Sequence, residues 1–122
     1  MLFKFPKDDK NFSWTQHVKD KMIQYRLSEQ KIKTVLNNPS RKEEGVALHT
    51  VAVMKRNDTA KRKEEIWVMV QRKKSNVKSQ MSKVIVISTW RYPGVSPENK
   101  KIFVPEDTLA ELEKSSNEEN TN

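Results

Sequence analysis

Residues 83–91 read Lys83-Val84-Ile85-Val86-Ile87-Ser88-Thr89-Trp90-Arg91. Four β-branched residues in succession, in a segment too short for an amphipathic helix to show its period, predict a strand. Working upstream, Glu64 to Lys73 contains Ile66-Trp67-Val68-Met69-Val70 and predicts a second strand. Val46 to Lys55, with Val51 and Val53, predicts a third. Arg56-Asn57-Asp58-Thr59 has the composition of a turn, and Ser75 and Asn76 sit in a polar loop. Such short separations predict consecutive antiparallel pairing, a meander. Two of these strands are apolar on both faces, with Val84 and Val86 pointing one way and Ile85 and Ile87 the other. A half-exposed antiparallel sheet alternates apolar with polar instead, so both faces need a cover.

Upstream of the strands the period changes to that of helices. Ser13-Trp14-Thr15-Gln16 has capping-box spacing with Ser13 as the cap, and Trp14, Val18, Met22 and Tyr25 follow as one helical stripe. Ser28 caps a second helix, with Leu27 and Ile32 at hydrophobic-staple spacing and Ile32, Val35 and Leu36 as its buried face. Asn37-Asn38-Pro39 ends it. Residues 1–12 read as a short strand or extended lead-in broken by Pro6. Downstream, Tyr92-Pro93-Gly94-Val95-Ser96-Pro97 breaks the sheet, and Lys101 to Val104 predicts a short edge segment. Pro105, as first helical residue, starts a short acidic helix through Leu109 and Leu112. Residues 115–122 contain no apolar side chain and predict a disordered tail. The fold class is α+β: an N-terminal helical pair packed on a three- to four-stranded antiparallel sheet, then a short C-terminal helix. Residues 1–104 form one domain and 105–122 the acidic helix and tail. The helical pair covers one sheet face; the C-terminal helix, or a partner's helix, covers the other.

The chain has 122 residues, 24 Lys+Arg, 16 Asp+Glu and a net charge of +8. Residues 1–92 hold 21 basic and 9 acidic side chains, whereas residues 93–122 hold 3 and 7. A basic body with an acidic tail points to a polyanion partner, most simply RNA. No apolar run is long enough to span a bilayer and the first residues lack a signal-peptide core, so the expectation is a cytoplasmic protein without a membrane partner. With no cysteine and only His17 and His49, neither a disulfide framework nor a metal site is expected. His17 has Lys21, not a second ligand, one turn further on. Isolated Gly45 and Gly94 give no phosphate-binding loop, and no Gly-x-Ser-x-Gly elbow occurs. No cofactor is expected.

Cationic chemistry on strands remains. In a meander Arg91 falls near the start of the second strand, beside Lys61, Arg62 and Lys63. There a guanidinium can hold a phosphate and stabilise a phosphodiester transition state. His17 or Tyr92 supplies the proton-transfer group. Lys61, Arg62, Lys63, Arg72 and Lys73 are the candidate phosphate contacts. The plainer alternatives are a solvated strand end for Arg91 and a helix-flank hydrogen bond for His17. Trp67 and Trp90 can stack bases, but on central strands burial in the core is the expectation.

Thr15-x-His17, Met22, Leu27-Ser28, Ile32, Val35-Leu36 and Pro39, followed by Val84-Ile85-Val86-Ile87-Ser88-Thr89-Trp90, carry a family likeness. Over about residues 12–92 the chain resembles a small domain-of-unknown-function family in the RelE/ParE-like toxin superfamily, near the BrnT branch. The resemblance implies a helical pair followed by an antiparallel sheet. It also implies mRNA cleavage at the ribosome through basic and aromatic residues, or gyrase inhibition, with an antitoxin-like protein docking on the toxin. The reading that results is a toxin-like RNA-binding protein and metal-independent endoribonuclease. Its alternative is a non-catalytic interaction module of the same fold.

Overall fold

The computed structural model describes residues 5–44, 47, 49–73, 83–98 and 100–119, and of residues 73 and 115–119 the backbone alone. Its elements are β1 (Phe12–Trp14), α1 (Gln16–Tyr25), α2 (Glu29–Asn37), β2 (Arg41–Glu44), β3 (Thr50–Arg56), β4 (Glu64–Lys73), β5 (Lys83–Pro93) and α3 (Glu106–Glu119). The strands form one sheet in the order β1-β5-β4-β3-β2. The chain is therefore α+β, and β3, β4 and β5 make the expected antiparallel meander. The sheet as a whole departs from expectation: it has five strands and is mixed. β1 runs parallel to β5, with Phe12 opposite Val84 and Trp14 opposite Val86.

Both additional strands lie at edges, and each lacks the signal on which a strand is recognised. β1 has three residues and owes its place to backbone bonds, Val84 N–H to the Asn11 carbonyl at 3.0 Å and Thr15 N–H to the Val86 carbonyl at 3.2 Å. β2 is Arg-Lys-Glu-Glu, a charged strand of the kind that blunts a sheet edge. Residues 101–104, expected as an edge segment, are not a strand; Ile102 and Val104 instead pack against the core. The strand expected from Val46 begins at Thr50. Gly45, Val46 and Leu48, residues 1–4 and the loop through Ser75 and Asn76 lie outside the described residues.

The cap of α1 also differs. Ser13 belongs to β1 and its hydroxyl donates to Asp8 at 3.1 Å. Thr15 is the N-cap: its hydroxyl accepts from Val18 N–H at 3.0 Å and donates to the Ile87 carbonyl at 2.9 Å, tying the helix start to β5. Arg26 closes α1 in the left-handed conformation, with φ 56°, a position that usually takes glycine. Ser28 caps α2 as expected, accepting from Lys31 N–H, and Leu27 and Ile32 are both buried.

The sheet separates two cores. On the first face Val53, Ile66, Val68, Val70 and Val86 meet Val18, Met22, Ile32 and Val35 of the two helices. On the second face Ala52, Met54, Trp67, Met69, Ile87 and Trp90 cluster with Leu112 of α3, with Ile102 and Val104 packed alongside. The C-terminal segment thus supplies the second cover. Trp67 and Trp90 are core residues, 1% and 0% exposed, with rings stacked at 6.1 Å. Val86 lies on the first face, yet Ile87 and Trp90, three residues apart, share the second. A β-bulge explains this: Met69 pairs with Ser88 and Val70 with Val86, leaving Ile87 as an extra residue. Beyond it every side chain of β5 has changed face.

The carbonyl of Pro105 accepts from Thr108 and Leu109, so proline precedes the first turn of α3. The helix runs to Glu119, further than the polar composition of residues 115–119 led us to expect. Asp107 meets buried Lys21 at 2.8 Å, and buried Thr108 bonds to Ser88 at 2.8 Å, which anchors the helix start against α1 and β5. No helix among the described residues is long and apolar enough to cross a membrane.

Candidate nucleic-acid interface

The loop between β3 and β4, residues 57–63, is held by its own polar side chains. Asn57 N–H donates to the Glu64 carbonyl at 2.9 Å, and Glu64 N–H donates to the Asp58 carboxylate at 2.9 Å. Thr59 N–H reaches the Arg62 carbonyl at 2.8 Å, and the Thr59 hydroxyl accepts from Arg62 N–H at 3.1 Å. Gly94 N–H bonds to the Lys63 carbonyl at 2.8 Å and links the loop to the end of β5. Gly94 has φ 85°, which a side chain would strain. The result is a stiff loop on which Lys61, Arg62 and Lys63 are all exposed.

Beneath the loop two buried carboxylates point to opposite faces, because consecutive strand residues do. Glu64, on the first face, accepts from Arg91 at 2.7 Å, Asn57 at 2.8 Å and Arg62 at 3.1 Å. Arg91 also donates its Nε to the Tyr25 carbonyl at 2.8 Å, and Lys31 reaches Asn57 at 3.1 Å. Glu65, on the second face, accepts from Arg56, Trp67 Nε1 and Ser96 N–H, each at 3.0 Å. Arg41 lies over the Trp67 ring at 5.5 Å and donates to the Ser96 hydroxyl at 2.9 Å. Burial alone would raise both carboxyl pKa values. The bonds from Asn57, Arg91 and Arg62 outweigh it at Glu64, those from Ser96, Trp67 and Arg56 at Glu65, and both fall below the usual range. Both acids therefore stay ionised, as internal counter-charges that hold arginines in place.

Arg91 and Arg62 do come together, on the two oxygens of Glu64. The other candidates do not join them. His17 stands at the start of α1, its Nε2 3.2 Å from the Thr108 hydroxyl, while Arg91 holds the last carbonyl of that helix. Eight residues of helix separate those points by about 12 Å. Tyr92 follows Arg91 onto the opposite face, where its ring meets Phe103 at 6.0 Å. Arg72 is exposed at the far end of β4, about 27 Å of strand from Glu64. The side chain of Lys73 lies outside the described residues. Among the described residues no group of three or more His, Asp or Glu gathers in a metal-binding arrangement.

Glu64, Glu65, Asn57, Arg56 and Arg41 organise this end of the sheet and were not among the sequence candidates. Two adjacent acids directly before an apolar strand, Glu64-Glu65-Ile66-Trp67, were the available signal: one must be buried on each face and each needs a cation. No protein-family model matches the chain, and no curated protein and no solved structure matches it either.

Proposed function

We propose that this protein binds RNA through the β3–β4 end of its sheet and holds it without cutting it. The observation that carries the reading is the stiff loop presenting Lys61, Arg62 and Lys63 together. Around it lie Lys31, Arg56 and Arg91; among the described residues the acids bonded to these cations and to the loop are Asp58, Glu64 and Glu65, of which Glu64 and Glu65 are buried, so the excess exposed charge is cationic. A preordered cationic loop contacts phosphates at little entropic cost, and the basic body draws the polyanion in. A helical pair on one sheet face supports placing the chain among RelE-like domains. The separation of His17, Tyr92 and Arg91 supports binding over scission.

Metal-independent mRNA cleavage is the second reading. It is favoured by one feature, the convergence of two guanidiniums on a single carboxylate, where a phosphodiester could compete with Glu64. One experiment separates the two. A labelled single-stranded RNA is titrated by fluorescence anisotropy at several salt concentrations and afterwards mapped for new 5′ ends, with and without ribosomes and in EDTA. Binding with intact RNA is expected. Lys61→Glu with Lys63→Glu should weaken binding uniformly across sequences and reduce the salt slope by about 1.4. Unaltered binding by that variant removes the loop from the interface, and discrete cleavage overturns the binding-only reading.

A further inference from the structure

A cleft of about 270 Å³ opens on the first sheet face where the helical cover stops. α2 ends at Asn37, and beyond it Val51, Val70 and Val84 of three neighbouring strands form an apolar floor. Phe12 and Leu36 make the walls, and Asn37, Lys42 and Arg72 supply the polar rim. Among the described residues no carboxylate lines the cleft. A third cation stands near, since Lys33 Nζ lies 5.5 Å from the Phe12 ring centre. Arg72 and Asn37 are exposed at the rim, whereas the floor is partly or fully buried.

These features select an occupant. The volume is just under the roughly 300–1,000 Å³ of ordinary small-molecule sites, which suits one ring system. Lys42 is paired with Glu44 at 3.3 Å and Lys33 with Glu29 at 3.8 Å, but both pairs are solvent-exposed and of the weak, exchangeable kind, so with Arg72 the rim favours an anion. An exposed amide at a helix end offers both a donor and an acceptor to a polar ring edge. An apolar floor beside an aromatic ring and a guanidinium is how single-stranded RNA is commonly held, with a base splayed out of its stack. We infer that this cleft takes one unstacked nucleobase of an RNA chain, its phosphate on Arg72 and Lys42 and its edge on Asn37. The inference rests on the RNA-binding reading but concerns a different end of the sheet, so the two can fail separately.

The test follows the valine and leucine methyl groups of the full chain by NMR during titration with each nucleoside 5′-monophosphate and with ribose 5-phosphate. Nucleotides should shift Val51, Val70, Val84 and Leu36 and bind about 5- to 150-fold more tightly than the base-free sugar phosphate, the worth of one stacked base. Val51→Phe, which fills the cleft, should abolish those shifts and weaken single-stranded RNA binding by the same factor, leaving duplex RNA binding unchanged. Asn37→Ala, at an exposed helix end, should alter the ranking of the four bases without disturbing the fold. Equal binding of ribose 5-phosphate would reduce the cleft to an anion site and overturn the proposal. So would unmoved methyl groups, or shifts produced only by an acidic peptide. RNA binding lost in Lys61→Glu/Lys63→Glu with no nucleotide in the cleft sinks this inference alone. Nucleotides in the cleft with no dependence on Lys61 and Lys63 sinks the loop reading alone.

Discussion

Replacing Arg91 by alanine should unfold the protein more readily, because this guanidinium is a structural tie. Its side chain is 28% exposed, and it bonds to Glu64, only 7% exposed, and to the Tyr25 carbonyl. That carbonyl ends α1 and has no partner within the helix. Breaking a buried ion pair from one side costs about 3–5 kcal/mol, since the remaining charge is left without a partner. Glu64 would keep Asn57 and the largely exposed Arg62 as partial compensation. Losing the bond to Tyr25 adds about 1 kcal/mol. We therefore expect a loss of about 2–4 kcal/mol, seen as a fall of about 1–2 M in the urea midpoint if the slope is near 2 kcal/mol/M. Circular dichroism through urea unfolding measures it. A double-mutant cycle with Glu64→Gln should show that the two changes together cost less than their sum. The deficit should also shrink in acid. Glu64 has a depressed pKa in the folded state, so its contribution is complete above the unfolded carboxylate pKa and disappears as pH falls through the folded one. A variant as stable as the wild type that has nonetheless lost RNA binding or cleavage would refute this reasoning and return Arg91 to the functional site.

The same logic reaches three other places. Trp67 Nε1 donates to Glu65 whereas Trp90 Nε1 is buried with no partner among the described residues, so Trp67→Phe should cost about 1–2 kcal/mol more than Trp90→Phe in urea unfolding. Equal costs would show that the Glu65 bond contributes nothing. Arg26→Gly relieves a left-handed residue at the end of α1 and should raise stability by up to about 1 kcal/mol, or a few degrees in Tm. A lowered Tm would mean the Arg26 side chain is needed where it lies. Lys21 holds the Asp107 carboxyl below its usual pKa by hydrogen bond and charge, so the anchoring of α3 should be complete above the unfolded pKa and weaken as pH falls through the folded value. The hydrogen-exchange protection of α3 amides, corrected for intrinsic rates, should fall over that acid range, and Asp107→Asn should remove the pH dependence. An α3 whose protection is flat with pH in the wild type would exclude the pair as its anchor.

The basic loop and the buried acids beneath it explain one another. Packing Lys61, Arg62 and Lys63 close together is tolerable because the loop is tied through Asp58, Thr59 and Glu64, and because Glu64 and Glu65 neutralise Arg91 and Arg56 below it. Arg91 and Arg56 are committed to protein partners and Arg62 shares Glu64 from its exposed position, so Lys61 and Lys63 are the loop cations that face an outside anion.

The pieces legible from residue order are those whose information is local. β-branched runs specified β3, β4 and β5, and polar residues at helical spacing specified the cap of α2 and the stop at Asn37-Asn38. The doubled apolar faces of the last two strands required a second cover, which the chain provides through Leu112. Side and neighbourhood, by contrast, follow from the packing of the whole chain. β2 is wholly charged and β1 only three residues long, so backbone pairing alone makes them strands. The bulge at Ile87 leaves no trace in an alternating pattern, because an extra apolar residue in an apolar run looks like its neighbours. Yet it turns Trp90 into the second core and Arg91 onto the first face, where Glu64 and the end of α1 await it. Period-two reasoning carries no memory of such a slip: alternation alone parts Arg91 from Tyr92, and the one unpaired residue decides which of the two meets Glu64.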